Sequence, residues 1–154
     1  MTKKEVIILV AEDDDAHAVL IEKNLRRAGI ANELRRFADG QEVLDFLTRT
    51  SGVGREPERS YLLLLDIKMP RKDGFEVLRL VKADPELKKL PIIMLTATDD
   101  PREIERCYAL GCNSYITKPV CYEKFVEAVR RLGMFMLVME VPVLDRGRGS
   151  ASRP

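Results

Sequence analysis

The sequence predicts an α/β fold in which five parallel strands alternate with five helices. Short apolar runs rich in Val, Ile and Leu recur along the chain, as they do in strands buried on both faces. Between them lie segments whose apolar residues repeat at three- and four-residue spacing, the signature of amphipathic helices. Gly, Pro, Asp and Asn punctuate most of the joints.

The first strand is Val6-Ile7-Ile8-Leu9-Val10-Ala11, continuous and β-branched. Ala18, Ile21, Leu25 and Ala28 then mark a helix face, with Gly29 at its stop. Residues 32–37 make a more polar strand, which suits a sheet edge. Asp39-Gly40 opens a second helix carrying Val43, Leu44 and Leu47. Residues 50–60, rich in Gly and charge, form a loop of a length that is often mobile or functional. Tyr61-Leu62-Leu63-Leu64-Leu65 is a buried strand ending abruptly at Asp66. Residues 74–83 read as a helix stopped by Asp84-Pro85. Residues 91–95 form the fourth strand, followed by Thr96-Ala97-Thr98 and a helix whose first turn contains Pro101. Residues 112–117 form the fifth strand, broken by Lys118-Pro119. The last helix runs from Tyr122 to about Leu132, with Phe125, Val129 and Leu132 on one face. Right-handed crossovers make a flavodoxin-like, doubly wound parallel sheet the simplest topology.

Composition narrows the function classes. The chain has 154 residues, a length suited to one domain, and 26 basic against 25 acidic side chains. That balance lacks the basic surplus of a nucleic-acid binder. The three Cys do not make a disulfide framework. No apolar run is long enough to span a bilayer, and the first residues make a poor signal peptide. A soluble, cytoplasmic location is expected. His17 is the only histidine; one imidazole makes no transition-metal site, and it reads as a helix-surface residue. No glycine-rich phosphate cradle is present.

Doubly wound sheets bind ligands beyond the carboxyl ends of their strands. The first strand runs into Glu12-Asp13-Asp14-Asp15, the third ends in Asp66, the fourth in Thr96 and the fifth in Lys118. Carboxylates gathered on one rim suit a hard divalent cation such as Mg²⁺, which keeps positions open for water and phosphate. Without a cation their repulsion raises at least one pKa. Each residue also has a plainer reading. Asp14 or Asp15 suits the N-cap of the following helix, Asp66 a turn, Thr96 a cap and Lys118 the surface. Their joint placement is what favours a site.

These motifs also carry a family resemblance. Ile8-Leu9-Val10-Ala11-Glu12-Asp13-Asp14, Leu64-Leu65-Asp66-Ile67-Lys68-Met69-Pro70 with Asp73-Gly74, Leu95-Thr96-Ala97 and Tyr115-Ile116-Thr117-Lys118-Pro119 resemble the receiver domain of two-component response regulators. The similarity spans residues 5–133 in order and spacing. It implies that Asp66 accepts a phosphoryl group from a sensor histidine kinase. Glu12 and Asp13 match the acidic pair that holds Mg²⁺, Asp13 directly and Glu12 chiefly through water. Asp66 itself and the backbone carbonyl of Lys68 complete the protein ligands. Thr96 matches the hydroxyl that moves onto the phosphoryl oxygen, Lys118 the ion-pairing lysine and Tyr115 the aromatic switch. Glu12 departs from the commoner Asp at its position.

Residues 134–144 continue past the resemblance as an apolar extension, and residues 145–154 read as a disordered tail. The extension packs on its own domain or serves self-association. With the 50–60 loop it resembles single-domain regulators that partner phytochrome-type kinases, some of them dimers. A stand-alone signalling switch rather than an enzyme is therefore expected. A phosphorelay intermediate is one alternative. An Mg²⁺-dependent phosphatase is another, although such enzymes typically place an acid two residues after the nucleophile, where Lys68 stands. A degenerate binding module is the third, opposed by the intact acidic, Thr96 and Lys118 set.

Overall fold

The computed structural model describes residues 6–48, 59–97 and 100–132. The expectations for the 50–60 loop as a whole, Thr98, the 134–144 extension and the 145–154 tail concern residues outside this set. The elements follow in strict alternation: β1 (Ile7–Ala11), α1 (Asp15–Arg27), β2 (Leu34–Phe37), α2 (Gly40–Thr48), β3 (Tyr61–Asp66), α3 (Gly74–Ala83), β4 (Ile92–Thr96), α4 (Pro101–Ala109), β5 (Ser114–Thr117) and α5 (Tyr122–Arg131). The sheet is parallel throughout with order β2-β1-β3-β4-β5. This is the doubly wound, flavodoxin-like sheet that the alternation predicts.

The period of two along each strand divides the core. Ile7, Leu9, Leu63, Leu65 and Met94 pack beneath Val43 and Leu47 of α2 and Val77, Leu78 and Val81 of α3. Ile8, Val10, Leu62, Leu64 and Ile93 face the other way, against Ile21 and Leu25 of α1 and Phe125 and Val129 of α5. Both layers exclude water, so the apolar runs have no polar face to display. Among the described residues no helix is long and apolar enough to cross a membrane.

Four strand starts differ from the sequence reading, the first only by one residue, at Ile7 rather than Val6. The second begins at Leu34 rather than Asn32, because the buried Asn32 amide donates to the Val6 carbonyl at 2.8 Å. The fourth begins at Ile92, since Pro91 has no N–H; that of Ile92 goes to the Asn113 side chain at 2.8 Å. The fifth begins at Ser114, because the Cys112 N–H closes the preceding turn onto the Cys107 carbonyl at 3.1 Å. Of these three contacts only that of Cys112 is local; Asn32 and Asn113 reach across the fold, 26 and 21 positions in sequence. A short 3₁₀ turn, Leu87–Lys89, lies between α3 and β4; Asp84 nucleates it by accepting from the N–H groups of Glu86 and Leu87.

Two close approaches fix the loop after β3. A side chain at Gly74 would collide with the Asp66 carbonyl, and one at Gly40 with the Lys72 carbonyl. Between them Arg71 takes φ 66°, uncommon for a residue with a side chain. Its Nε donates to Asp39 Oδ2 at 2.9 Å. Asp39 thereby ties the loop to the start of α2, whose Glu42 N–H it also accepts at 2.8 Å.

Candidate functional site

Register brings the chemistry to one rim. Ala11 pairs with Leu65, Asp66 with Leu95, and Thr96 with Thr117, so the residues that end β1, β3, β4 and β5 emerge side by side. The Lys118 N–H donates to the Thr96 carbonyl at 2.8 Å, which carries the ladder one step past β5. Glu12 does the same at the other side through its N–H to the Phe37 carbonyl at 3.0 Å.

Carboxylate oxygens of Glu12, Asp13 and Asp66 lie within 4.8 Å of one another. Glu12 is fully buried, Asp66 nearly so, and Asp13 exposed. Lys118 Nζ sits 2.6 Å from Glu12 Oε1 and 3.3 Å from Asp66 Oδ1. Asp66 Oδ1 also accepts the Ile67 N–H at 2.9 Å. Burial and the neighbouring Glu12 charge push the Asp66 carboxyl up to about 6, with Lys118 opposing. Burial works against the Lys118 charge as well, but the Glu12 and Asp66 carboxylates outweigh it and hold the ammonium above its ordinary value. Lys118 thus pairs with two buried carboxylates, and Asp13 adds a third beside them. The donor set is all oxygen, and its electrostatics call for more positive charge. A hard divalent cation fits.

Helix starts frame this cleft of about 320 Å³, lined by Glu12, Asp13, Asp66, Lys68, Ala97 and Lys118 among others. Asp14, one of the two candidate caps, caps α1 by accepting the His17 N–H at 3.0 Å. Asp73 caps α3 through the Glu76 N–H at 2.9 Å. Asp15 instead pairs with Arg36 at 2.6 Å. The acidic run thus divides its work: Glu12 and Asp13 gather with Asp66, while Asp14, also at the cleft wall, caps the helix.

Of the sequence candidates, Glu12, Asp13, Asp66, Lys68 and Lys118 share the cleft, and Thr96 is buried beside it at the end of β4. Tyr115 is not among the cleft residues. Half-buried on β5, its ring meets Tyr108 of α4 edge-on at 6.0 Å, with the Arg131 guanidinium 5.6 Å from its centre. Sequence reasoning missed three residues. Arg36, from the polar edge strand, donates to the Glu12 carbonyl through Nε at 2.9 Å and Nη2 at 2.8 Å. His17 is exposed as expected, yet its Nδ1 lies 3.3 Å from Lys118 Nζ and 3.8 Å from Glu12 Oε2. Across 101 positions of sequence that contact left no signal. Glu103, which takes the Thr96 hydroxyl, left none.

This geometry has known counterparts. The family model for the response regulator receiver domain matches residues 8–130. The chain belongs to the response regulator receiver family. Response regulator Rcp1 from Synechocystis is 33% identical over 131 residues, covering 85% of this receiver and 88% of that protein. The probable methanogenesis regulatory protein FilR2 of Methanothrix harundinacea is 34% identical, over 85% of this chain and 83% of its own. Among solved structures, the bacteriophytochrome response regulator AtBRR superposes with a TM-score of 0.80 at 33% identity, covering 93% of this chain and 100% of that one. The Mn²⁺-bound form of Rcp1 matches with a TM-score of 0.65 at 30% identity, over 90% of this chain and 99% of that one. The chain thus carries a signalling receiver of a family that binds a divalent metal.

Proposed function

We propose that Asp66 accepts a phosphoryl group from a sensor histidine kinase in an Mg²⁺-dependent reaction, and that the phosphorylated receiver signals by protein contact. The observation that carries this reading is the Asp66 carboxylate, nearly buried, set among Glu12, Asp13 and Lys118 at the shared strand rim. An Asp66 oxygen attacks phosphorus as the bond to the donor's imidazole nitrogen breaks, and the nitrogen leaves with the electron pair. Such transfers ask the protein for in-line positioning and charge neutralisation more than for covalent chemistry. Glu12, Asp13, Asp66 and the Lys68 carbonyl would hold Mg²⁺, which supplies charge neutralisation at the phosphoryl oxygens. Lys118 supplies the remaining positive charge. Thr96 donates to a phosphoryl oxygen after transfer, and Tyr115 turns in the coupled rearrangement.

A phytochrome-type kinase is the proposed partner, supported by the likeness to AtBRR, described as a bacteriophytochrome response regulator. We place the protein in the cytoplasm. The apolar 134–144 segment supports self-association; sedimentation of the whole chain should show concentration-dependent dimers that removal of residues 134–154 abolishes. Acetyl phosphate with Mg²⁺ tests the central reading. Labelling of the wild type that is absent in Asp66→Asn is the expected result. Equal labelling of both would sink it.

A further inference from the structure

The Thr96 hydroxyl already has an acceptor. At the buried end of β4 its Oγ1 donates to Glu103 Oε1 at 2.7 Å. Glu103 stands in the first turn of α4 and lines the same cleft as Glu12, Asp13, Asp66 and Lys118. A hydroxyl carries one proton, so Thr96 cannot donate fully to Glu103 and to a phosphoryl oxygen at once. The acceptor is a carboxylate, and such charge-assisted bonds are roughly twice as strong as neutral ones.

We propose that Glu103 is a positioning residue that holds the Thr96 hydroxyl against α4 in the unphosphorylated receiver, so that phosphorylation must exchange this bond and loosen the first turn of α4. The inference rests on Asp66 as phosphoacceptor. What makes the exchange consequential is how lightly α4 is held. Cys107 is its one buried residue. Beyond it, Arg106 lies 4.0 Å over the Phe75 ring of α3, and Tyr108 meets Tyr115 edge-on. A bond from the cleft to the first turn is therefore a large share of the tethering of α4. Loosening that turn reaches the Tyr108–Tyr115 face along the helix itself. Glu103 also adds negative charge to a cleft about to gain a phosphoryl group, so it opposes the phosphorylated state twice, by charge and by holding the proton.

Two substitutions separate these effects. Glu103→Gln removes the charge but keeps an acceptor oxygen; Glu103→Ala removes both. The probe is beryllium fluoride with Mg²⁺, a phosphoryl mimic, titrated into the full chain by NMR, with thermal unfolding confirming that both variants fold. Glu103→Ala should bind the mimic about tenfold more tightly than wild type, the loss of one charge-assisted hydrogen bond from the competing state. Glu103→Gln should fall between, about threefold tighter. Before any mimic is added, the Thr96 methyl resonance should move in Glu103→Ala and stay near its wild-type position in Glu103→Gln. Equal tightening in both variants would assign the effect to charge alone and overturn the hydrogen-bond exchange. Wild-type uptake that neither substitution changes would overturn this inference while leaving the phosphoacceptor reading intact. A wild type that takes up no mimic would overturn both.

Discussion

At the scale of single residues the site is an imbalance of charge held in place by burial. Asp66 shows its consequence for stability. Its carboxyl is raised above the unfolded value of 3.8 to about 6, by burial first and the Glu12 charge second. A raised acid favours the folded state below its unfolded value, and that contribution is lost as pH climbs through the window from about 4 to 6. Without metal, Asp66→Asn should therefore stabilise the protein at pH 7–8 by on the order of 2 kcal/mol, and by little at pH 4. Urea denaturation in chelator across that range measures it; a gain that persisted at pH 4 would contradict the argument. Lys118→Ala should act in the opposite sense. It strips Glu12, fully buried, of its ion-pair partner, at a cost of roughly 3 kcal/mol at neutral pH. Two substitutions a hydrogen-bond length apart then change stability in opposite directions, which general damage to the fold would not produce. Lys68 is exposed at the cleft, where its side chain would affect water's access to a phosphoryl group on Asp66 in the proposed reaction. Lys68→Ala should change the phosphoryl half-life measured by dephosphorylation after acetyl phosphate is removed.

At the scale of elements, the loop from β3 to α3 positions Asp66, the proposed phosphoacceptor. The Gly74 N–H donates to the Ile67 carbonyl at 2.7 Å, and the absence of a side chain lets α3 begin against the Asp66 backbone. Gly74→Ala sets a methyl group against a carbonyl that belongs to the sheet and cannot move freely. A loss of about 3 kcal/mol is expected, as for other substitutions that force backbone apart. Displaced amide resonances at Asp66 and Ile67 would report the cause. An unchanged melting temperature would mean that α3 yields more easily than the burial of its own Val77, Leu78 and Val81 suggests.

The whole molecule is a sheet stable enough to hold like charges together, with metal affinity as the return. Binding to the folded state alone raises stability by about 2.7 kcal/mol at a hundredfold excess over the dissociation constant. Mg²⁺ should therefore raise the melting temperature, and Asp13→Asn should abolish most of that rise. Asp13 is exposed, so the same substitution should leave the metal-free protein within about 0.5 kcal/mol of wild type. Calorimetry with Mg²⁺ and with chelator separates the two.

What the sequence determined by itself was the architecture and the strand-end chemistry. Apolar periods of two and of three to four state which face of each element avoids water, and the alternation leaves few ways to stack them. Because each buried run stops where a polar residue begins, Glu12, Asp66, Thr96 and Lys118 were legible as neighbours before any coordinate. Only the tertiary structure decided which polar group each of them faces. Arg36 clamping the Glu12 carbonyl, His17 beside Lys118 across 101 positions of sequence, Asn32 donating to the Val6 carbonyl just before β1 and Glu103 accepting from Thr96 leave no period to read. The physical reason is that hydrophobic patterning encodes exclusion from water, which is collective and non-directional. A hydrogen bond is directional over a few tenths of an ångström, and its partner is fixed only once packing has set every backbone and rotamer around it.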